Sequence, residues 1–195
     1  MKFIYKISLV ALLSLSGCAT KEGNLNQSQA ATNINITDSS MESKMVAYVN
    51  SLRTKGATCG PAAPRLNLNT ALEHAASAHA KDMAVNKIFS HSGSGTATDP
   101  AKSALGVGSS HIERFLYFGF PNKPGKLVGE VLGKSKLTVT HTKDFMANVK
   151  HAINNLMKDR PHCEIIMNPR FTDIGIGAYK SNGAYYVDID LGETN

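Results

Sequence analysis

Two β-rich runs close the chain, residues 172–179 and 184–191, and between them stand Lys180-Ser181-Asn182-Gly183. The Asn-Gly pair suits a tight turn, so the two runs are expected to pair as a hairpin. Most of what precedes them reads as helix or loop. Ser39-Ser40-Met41-Glu42 has the Ser-x-x-Glu form of a capping box, and Met45, Val49 and Leu52 follow at helical spacing. Gly56 and the Cys59-Gly60-Pro61 stretch end that helix. Asn69 is placed to cap a second helix, in which Leu72, Ala75, His79 and Met83 share one face. Residues 92–110 are rich in Ser, Gly, Thr and Ala and read as a long loop, followed by a short helix around 112–119 and a Pro-rich turn at 121–125. Residues 127–132 are a strand candidate interrupted by Gly129. Residues 143–158 form a third substantial helix, with Phe145, Met146, Val149, Ile153 and Leu156 at helical spacing. Helices first and strands last point to an α+β layered domain, and no internal repeat is present.

The other end of the chain bears on compartment. Lys2 and Lys6 give a short positive region ahead of an apolar run, residues 7–15, that is too short for the ~20 residues a spanning helix needs. The run leads into Leu15-Ser16-Gly17-Cys18, which looks like a lipobox rather than an ordinary cleaved signal. Residues 1–17 are therefore expected to be a lipoprotein signal and Cys18 the acylated new N-terminus. Each buried methylene of its acyl chains contributes about 0.8 kcal/mol, so more than one chain makes a stable membrane anchor. Ala19 follows the cysteine instead of Asp, the pattern of lipoproteins sorted onward to an outer membrane. Residues 18–38 carry the lipid and then Asn, Gln, Ser and Thr with few large apolar side chains, too little to offset ordering entropy, so they read as a tether. Residues 39–195 make one domain.

Charge excludes one class of partner. The formal charge of +6 falls by two when residues 1–17 leave, because Lys2 and Lys6 go and no acid does. No basic cluster, aromatic stacking pattern or zinc-finger spacing accompanies the remainder, so nucleic acid is not an expected partner. With Cys18 taken by lipid, Cys59 and Cys163 remain as an even pair. In an oxidising compartment they either close a long loop as a disulfide, for roughly 4–5 kcal/mol of chain-entropy stabilisation, or stay buried as two thiols.

Several blocks, taken in order, resemble one family. Leu68-Asn-Thr-Ala-Leu72, then His79-Ala-Lys-Asp-Met83-Ala84, lead into Phe89-Ser90-His91-Ser92. Arg114-Phe-Leu-Tyr-Phe-Gly-Phe120 and Gly129-Glu130 follow. Pro161-His162-Cys163-Glu-Ile-Ile-Met-Asn-Pro169 precedes Phe171-Thr-Asp-Ile-Gly-Ile-Gly177, and Tyr185-Tyr-Val-Asp-Ile-Asp-Leu-Gly192 closes the series. Over residues 42–192 this resembles the cysteine-rich secretory, antigen 5 and pathogenesis-related (CAP) superfamily. The resemblance implies a three-layer α-β-α sandwich with a cleft faced by two histidines and two acids. Carried over one at a time, these are His91, Glu130, His162 and, by position, Asp159. Thr58-Cys59-Gly60 and His162-Cys163 resemble a bacterial subgroup in which these cysteines pair. The chain departs from the pattern at Val131, where Asn is usual, and at Leu156, where Trp is common.

Two imidazoles and a carboxylate are a recognised ligand set for zinc, with a fourth position for water. His91, Glu130 and His162 meet that description if the fold unites them. The same trio can instead hydrogen-bond a ligand or tie the cleft loops together. There is no His-Glu-x-x-His sequence and no Gly-x-Ser-x-Gly elbow, so no catalytic residue is assigned. His79 reads as a core residue, and His74, His111, His141 and His151 as surface or helix-end residues. The expectation is a non-catalytic cell-envelope module that binds a lipid, a cell-wall component, or a host or envelope protein, as the resemblance implies. The alternative is a metal-dependent hydrolase using His91, Glu130 and His162.

The anchor is testable at one atom. Cys18→Ala should move the protein from the membrane to the soluble fraction and end incorporation of labelled palmitate; a mutant that keeps the label refutes the lipid assignment.

Overall fold

The computed structural model describes residues 39–136 and 144–194. The signal segment 1–17, Cys18, the tether 18–38 and His141 lie outside the described residues. In chain order the elements are α1 (Ser39–Lys55), β1 (Asn67–Leu68), α2 (Thr70–Asn86), α3 (His111–Tyr117), β2 (Val128–Lys136), α4 (Phe145–Lys158), α5 (Arg160–Ile166), β3 (Asp173–Ser181) and β4 (Ala184–Gly192). No described helix is long and apolar enough to cross a membrane.

The closing hairpin forms where the turn chemistry places it. Asn182 and Gly183 take φ values of 48° and 71°, the left-handed pair that a two-residue turn between antiparallel strands requires. Ser181 then faces Ala184, and pairing runs back to Asp173 opposite Gly192. β2 adds antiparallel to the other side of β4, from Val128 opposite Gly192 to Lys136 opposite Ala184. β1 joins β3 in parallel, so the sheet order is β1-β3-β4-β2 with β2 at an edge.

Every residue of β4 is buried, because helices cover both faces of the strand. Val187, Ile189 and Leu191 point into the larger core with Met45, Val46 and Val49 of α1, Val149 and Ile153 of α4, and Ile166 of α5. The alternate residues, Ala184 and Tyr186 among them, face α2 and pack with Met83, Ala84 and Leu132. α3 closes the end of that second layer, where Phe115 and Phe120 meet Leu72 and Ala75. The result is an α+β, three-layer α-β-α sandwich.

α2 lies unusually close to β3. An added Cβ at Gly175 would stand 2.1 Å from the Glu73 nitrogen, and one at Gly177 would stand 2.3 Å from the Ala76 carbonyl carbon. Two glycines in the strand and a run of buried alanines in the helix bring backbone against backbone. Asn69 caps α2 as its position suggests, its side chain accepting from the Ala71 and Leu72 nitrogens.

Three local expectations change. The strand at 127–132 runs on to Lys136, because Gly133 passes under Leu156 and Ala152 and the pairing with β4 continues. The short helix after the loop is α3, starting at His111 behind a complete capping box of Ser110 and Glu113. A further helix, α5, starts at Arg160 with proline in its first turn.

Cys59 and Cys163 are joined in a disulfide, with Cα atoms 6.0 Å apart and a sequence separation of 104. The bridge pins the start of α5 to the segment after α1. The buried Arg53 reinforces that join: Nε donates to the Pro64 carbonyl at 2.8 Å, and Nη1 donates to the carbonyls of Ile166 and Asn168. Burial lowers the pKa of this guanidinium to about 10.

Reduction of the bridge should lower the melting temperature by roughly 10 °C, given about 4 kcal/mol for a loop of this length. Thiol labelling of unreduced protein should modify neither Cys59 nor Cys163. Two reactive thiols would contradict the bridge.

Candidate functional site

His91 follows α2 by way of Lys87, which turns the chain out of the helix with φ 58°. The segment is fixed from below by His79 on the buried face of α2. Its Nε2 lies 2.9 Å from the Ser90 carbonyl oxygen, and since a carbonyl only accepts, Nε2 is the donor. Glu130 enters from β2, on the face that carries Val128 and Leu132 toward α2. Arg114 enters from α3 and is 1% exposed.

These side chains meet in one network. Arg114 Nη2 donates to Glu130 Oε1 and, at 3.0 Å, to the His91 carbonyl. Arg114 Nη1 donates to the Ser109 carbonyl at 2.8 Å and to Ser109 Oγ at 3.1 Å. Ser109 in turn donates through its hydroxyl and its backbone nitrogen to the buried Asp99, at 2.6 and 2.9 Å. Glu130 Oε2 takes His91 Nδ1 at 2.6 Å. The Ser- and Gly-rich loop is therefore ordered by charge: Asp99 holds its far end, and Asp82 of α2 accepts from Ser94 and Thr98 at its near end.

The protonation states follow from these contacts. Burial raises the Glu130 carboxyl, but the His91 hydrogen bond and the Arg114 charge outweigh it and leave the pKa below the ordinary value. The hydrogen bond to Glu130 raises the His91 imidazole, whose side chain is 58% exposed. Burial lowers His79 and His111.

Beneath Glu130 lie two further acids. Asp190 is its cross-strand neighbour on β4, and Asp188 stands opposite Leu132. Both are completely buried, and apart from each other no donor group reaches their four oxygens. Burial first, and then the neighbouring carboxylates, push both well above the ordinary carboxylate range.

The other two expected cleft residues pair with each other. Asp159 stands between α4 and α5, and its carboxylate takes His162 Nδ1 instead of capping the helix. This pair is partly exposed. α5 packs against β2 from the side opposite Glu130, since Gly129 faces Ile165 and Phe171. His91–Glu130 and His162–Asp159 are thus two separate pairs, the first on the α2 face of β2 and the second at the start of α5. Between β2 and α5 runs an open groove of about 390 Å³, lined mainly by Leu127, Val128, Pro161, Ile165 and Phe171.

Among the described residues, one group of three metal-donor side chains has its ligand atoms within 4.8 Å of one another: His79, Glu130 and Asp188. Neither His91 nor His162 belongs to it. Sequence reasoning treated His79 as core filling and passed over Asp188 and Asp190. The available signal was two acids alternating with Val187, Ile189 and Leu191 in a run otherwise fit for complete burial. Val131 and Leu156, the departures from the family pattern, are both core residues packed on the α1 and α4 side.

The model of the cysteine-rich secretory protein family (CAP) matches residues 46–189. Two solved structures share the fold. One is an extracellular protein containing an SCP domain from Bacillus anthracis str. Ames, with TM-score 0.57 and 18% identity over 78% of this chain and 40% of that one. The other is an outer surface protein from Borrelia burgdorferi, with TM-score 0.54 and 15% identity over 82% of this chain and 97% of that one. The chain thus spans well under half the length of the Bacillus protein. No curated protein matches it.

The His91 pair has a definite pH signature. Its folded pKa lies above the ordinary 6.5, so its stabilising contribution is complete below that value and is lost as pH rises through the raised one. His79 acts in the opposite sense and favours unfolding as pH falls below 6.5. Imidazole NMR titration should find His91 above and His79 below 6.5. Glu130→Gln should return His91 toward 6.5 and, by leaving Arg114 buried without its partner charge, cost about 3 kcal/mol of stability. A His91 midpoint unmoved by Glu130→Gln would remove the pair.

Proposed function

Because the chain belongs to the cysteine-rich secretory protein (CAP) family, we propose that it is a cell-envelope lipoprotein, held through Cys18 to an outer membrane. Its CAP domain binds a ligand or partner without catalysis at the edge of strand β2. The observation that carries this is the state of Glu130: one oxygen is held by the buried Arg114 and the other by His91. A carboxylate so engaged is neither a free base nor a nucleophile, and both described cysteines are bound to each other. His91, by contrast, presents an exposed, cationic-leaning ring from a rigid base. His162 stands on α5, whose Pro161 and Ile165 help to line the mostly apolar groove.

That combination suits an amphipathic ligand such as a lipid, with an apolar portion against Leu127, Ile165 and Phe171 and a polar or anionic head toward the histidines. A cell-wall component or an envelope or host protein would use the histidine face without the groove. Metal-dependent hydrolysis would need His91, Glu130 and His162 on one ion, with His162 released from Asp159 to serve it.

A fluorescent fatty acid should bind the purified protein saturably, and Ile165→Glu should weaken it at least tenfold, about 1.4 kcal/mol. Neither zinc nor its removal should produce ester or peptide hydrolysis. Fatty-acid binding unaffected by Ile165→Glu would refute the groove, and zinc-dependent turnover abolished by His162→Ala would establish the hydrolase instead.

A further inference from the structure

Three acceptors converge in the layer under α2, and two of them, His79 Nδ1 and Asp188, are left without a matched donor. His79 is 1% exposed, and its Nε2 is committed as a donor to the Ser90 carbonyl, so its lone pair sits on Nδ1. That Nδ1 is buried and has no hydrogen-bond partner. Asp188 is 0% exposed, and no donor group other than the neighbouring Asp190 carboxyl reaches its oxygens. Glu130 offers the third atom, and all three lie within 4.8 Å of one another. Each unsatisfied buried acceptor costs free energy, and the cost is larger for a charged group.

Charge leads to the same place. The groups facing this layer are His79 and Asp82 of α2, Glu130 of β2, Asp188 and Asp190 of β4, Arg114 of α3, and His91 and His111 at its rim. Asp82 is occupied by the loop hydrogen bonds described above. Glu130, Asp188 and Asp190 are then three buried carboxyl groups around a single buried guanidinium, a crowding that holds the two aspartates toward their protonated forms and that a cation taking the place of a proton would relieve.

We propose that His79 Nδ1, Glu130 and Asp188 hold one divalent cation of the zinc class. A backbone carbonyl behind the far ring nitrogen is the arrangement that orients metal-ligating histidines, and Ser90 supplies it here. One imidazole with two carboxylates suits a borderline transition ion, whereas calcium and magnesium favour all-oxygen sites. Bonds of about 2.1 Å set tetrahedral donors roughly 3.4 Å apart, so the three side chains draw inward by rotation about their own bonds. The ion joins α2 to two adjacent strands and fixes Glu130 from beneath while His91 holds it from above. It shares no histidine with a zinc reading at His91 and His162, and it does not rest on the groove's ligand.

The test uses the full chain in detergent, stripped with chelator and returned to one equivalent of zinc. Elemental analysis after gel filtration should find one zinc per chain, with a melting temperature several degrees above the stripped form. Asp188→Asn and His79→Gln should each weaken retention by about 100-fold or more, while His162→Ala should leave it unchanged. Asp188→Asn is close to isosteric and removes a buried charge, so its melting temperature without metal should match or exceed that of the stripped wild type. Should either variant fail to fold, the wild-type His79 Nδ1 resonance provides the second readout and should shift on zinc addition. A stripped chain that retains no zinc overturns the proposal, as does an unmoved His79 resonance. Retention lost with His162→Ala but kept with Asp188→Asn also overturns it, placing the ion at the surface pair.

Discussion

The guanidinium of Arg114 is the charge on which the site depends. Taking it out of water is costly, and the cost is offset only because its two terminal nitrogens meet four oxygen acceptors: two on Ser109, the His91 carbonyl and Glu130. A lysine would place one compact charge there and could not span a loop and a strand at once. Through Ser109 the same charge reaches Asp99, so the glycine-rich loop, the edge strand and the exposed imidazole become one rigid unit. His91 is well exposed yet does not wander, because both its ring and its carbonyl are held from within.

The opposite side of β2 is organised by a second buried arginine. Arg53 gives its hydrogens to the carbonyls of Pro64, Ile166 and Asn168. It therefore closes the last turn of α5, while the Cys59–Cys163 bridge closes the first. His162 sits on that short helix and is positioned by covalent and hydrogen-bonded supports that do not involve Arg114. The two pairs thus have independent scaffolds, and a change that loosens one need not disturb the other.

How far the fold was legible depended on whether the signal was local. The hairpin was readable because Asn182-Gly183 demands one backbone geometry, and α2 and α4 because caps and apolar spacing agreed. α5 was not: Arg160-Pro-His-Cys-Glu has no apolar stripe, and the helix exists because Ile166 enters the core and Cys163 is tied down. The end of β2, Gly133-Lys-Ser-Lys136, is polar and became a strand only through its partner β4. His91, Glu130, His162 and Asp159 came from resemblance to a family, which located the residues but not which of them pair. His79, Asp188 and Asp190 carried no motif. Their meaning comes from a helix and two strands stacking, a relation that spacing along one segment cannot express.

The sheet order also governs how the molecule is made. α2 rests on β3 and β4, whose residues follow it in the chain by about a hundred positions. β1 at residues 67–68 likewise waits for β3 at 173–174. A chain emerging from its N-terminus therefore holds its first two helices without the surface they pack against until the last strands appear. Such high contact order favours slow, late-committing assembly, with apolar helix faces exposed in the interval. Until β4 arrives there is no hydrophobic floor and no partner strand for Glu130. The helices made first therefore keep their apolar faces in water until β3 and β4 are free to pair.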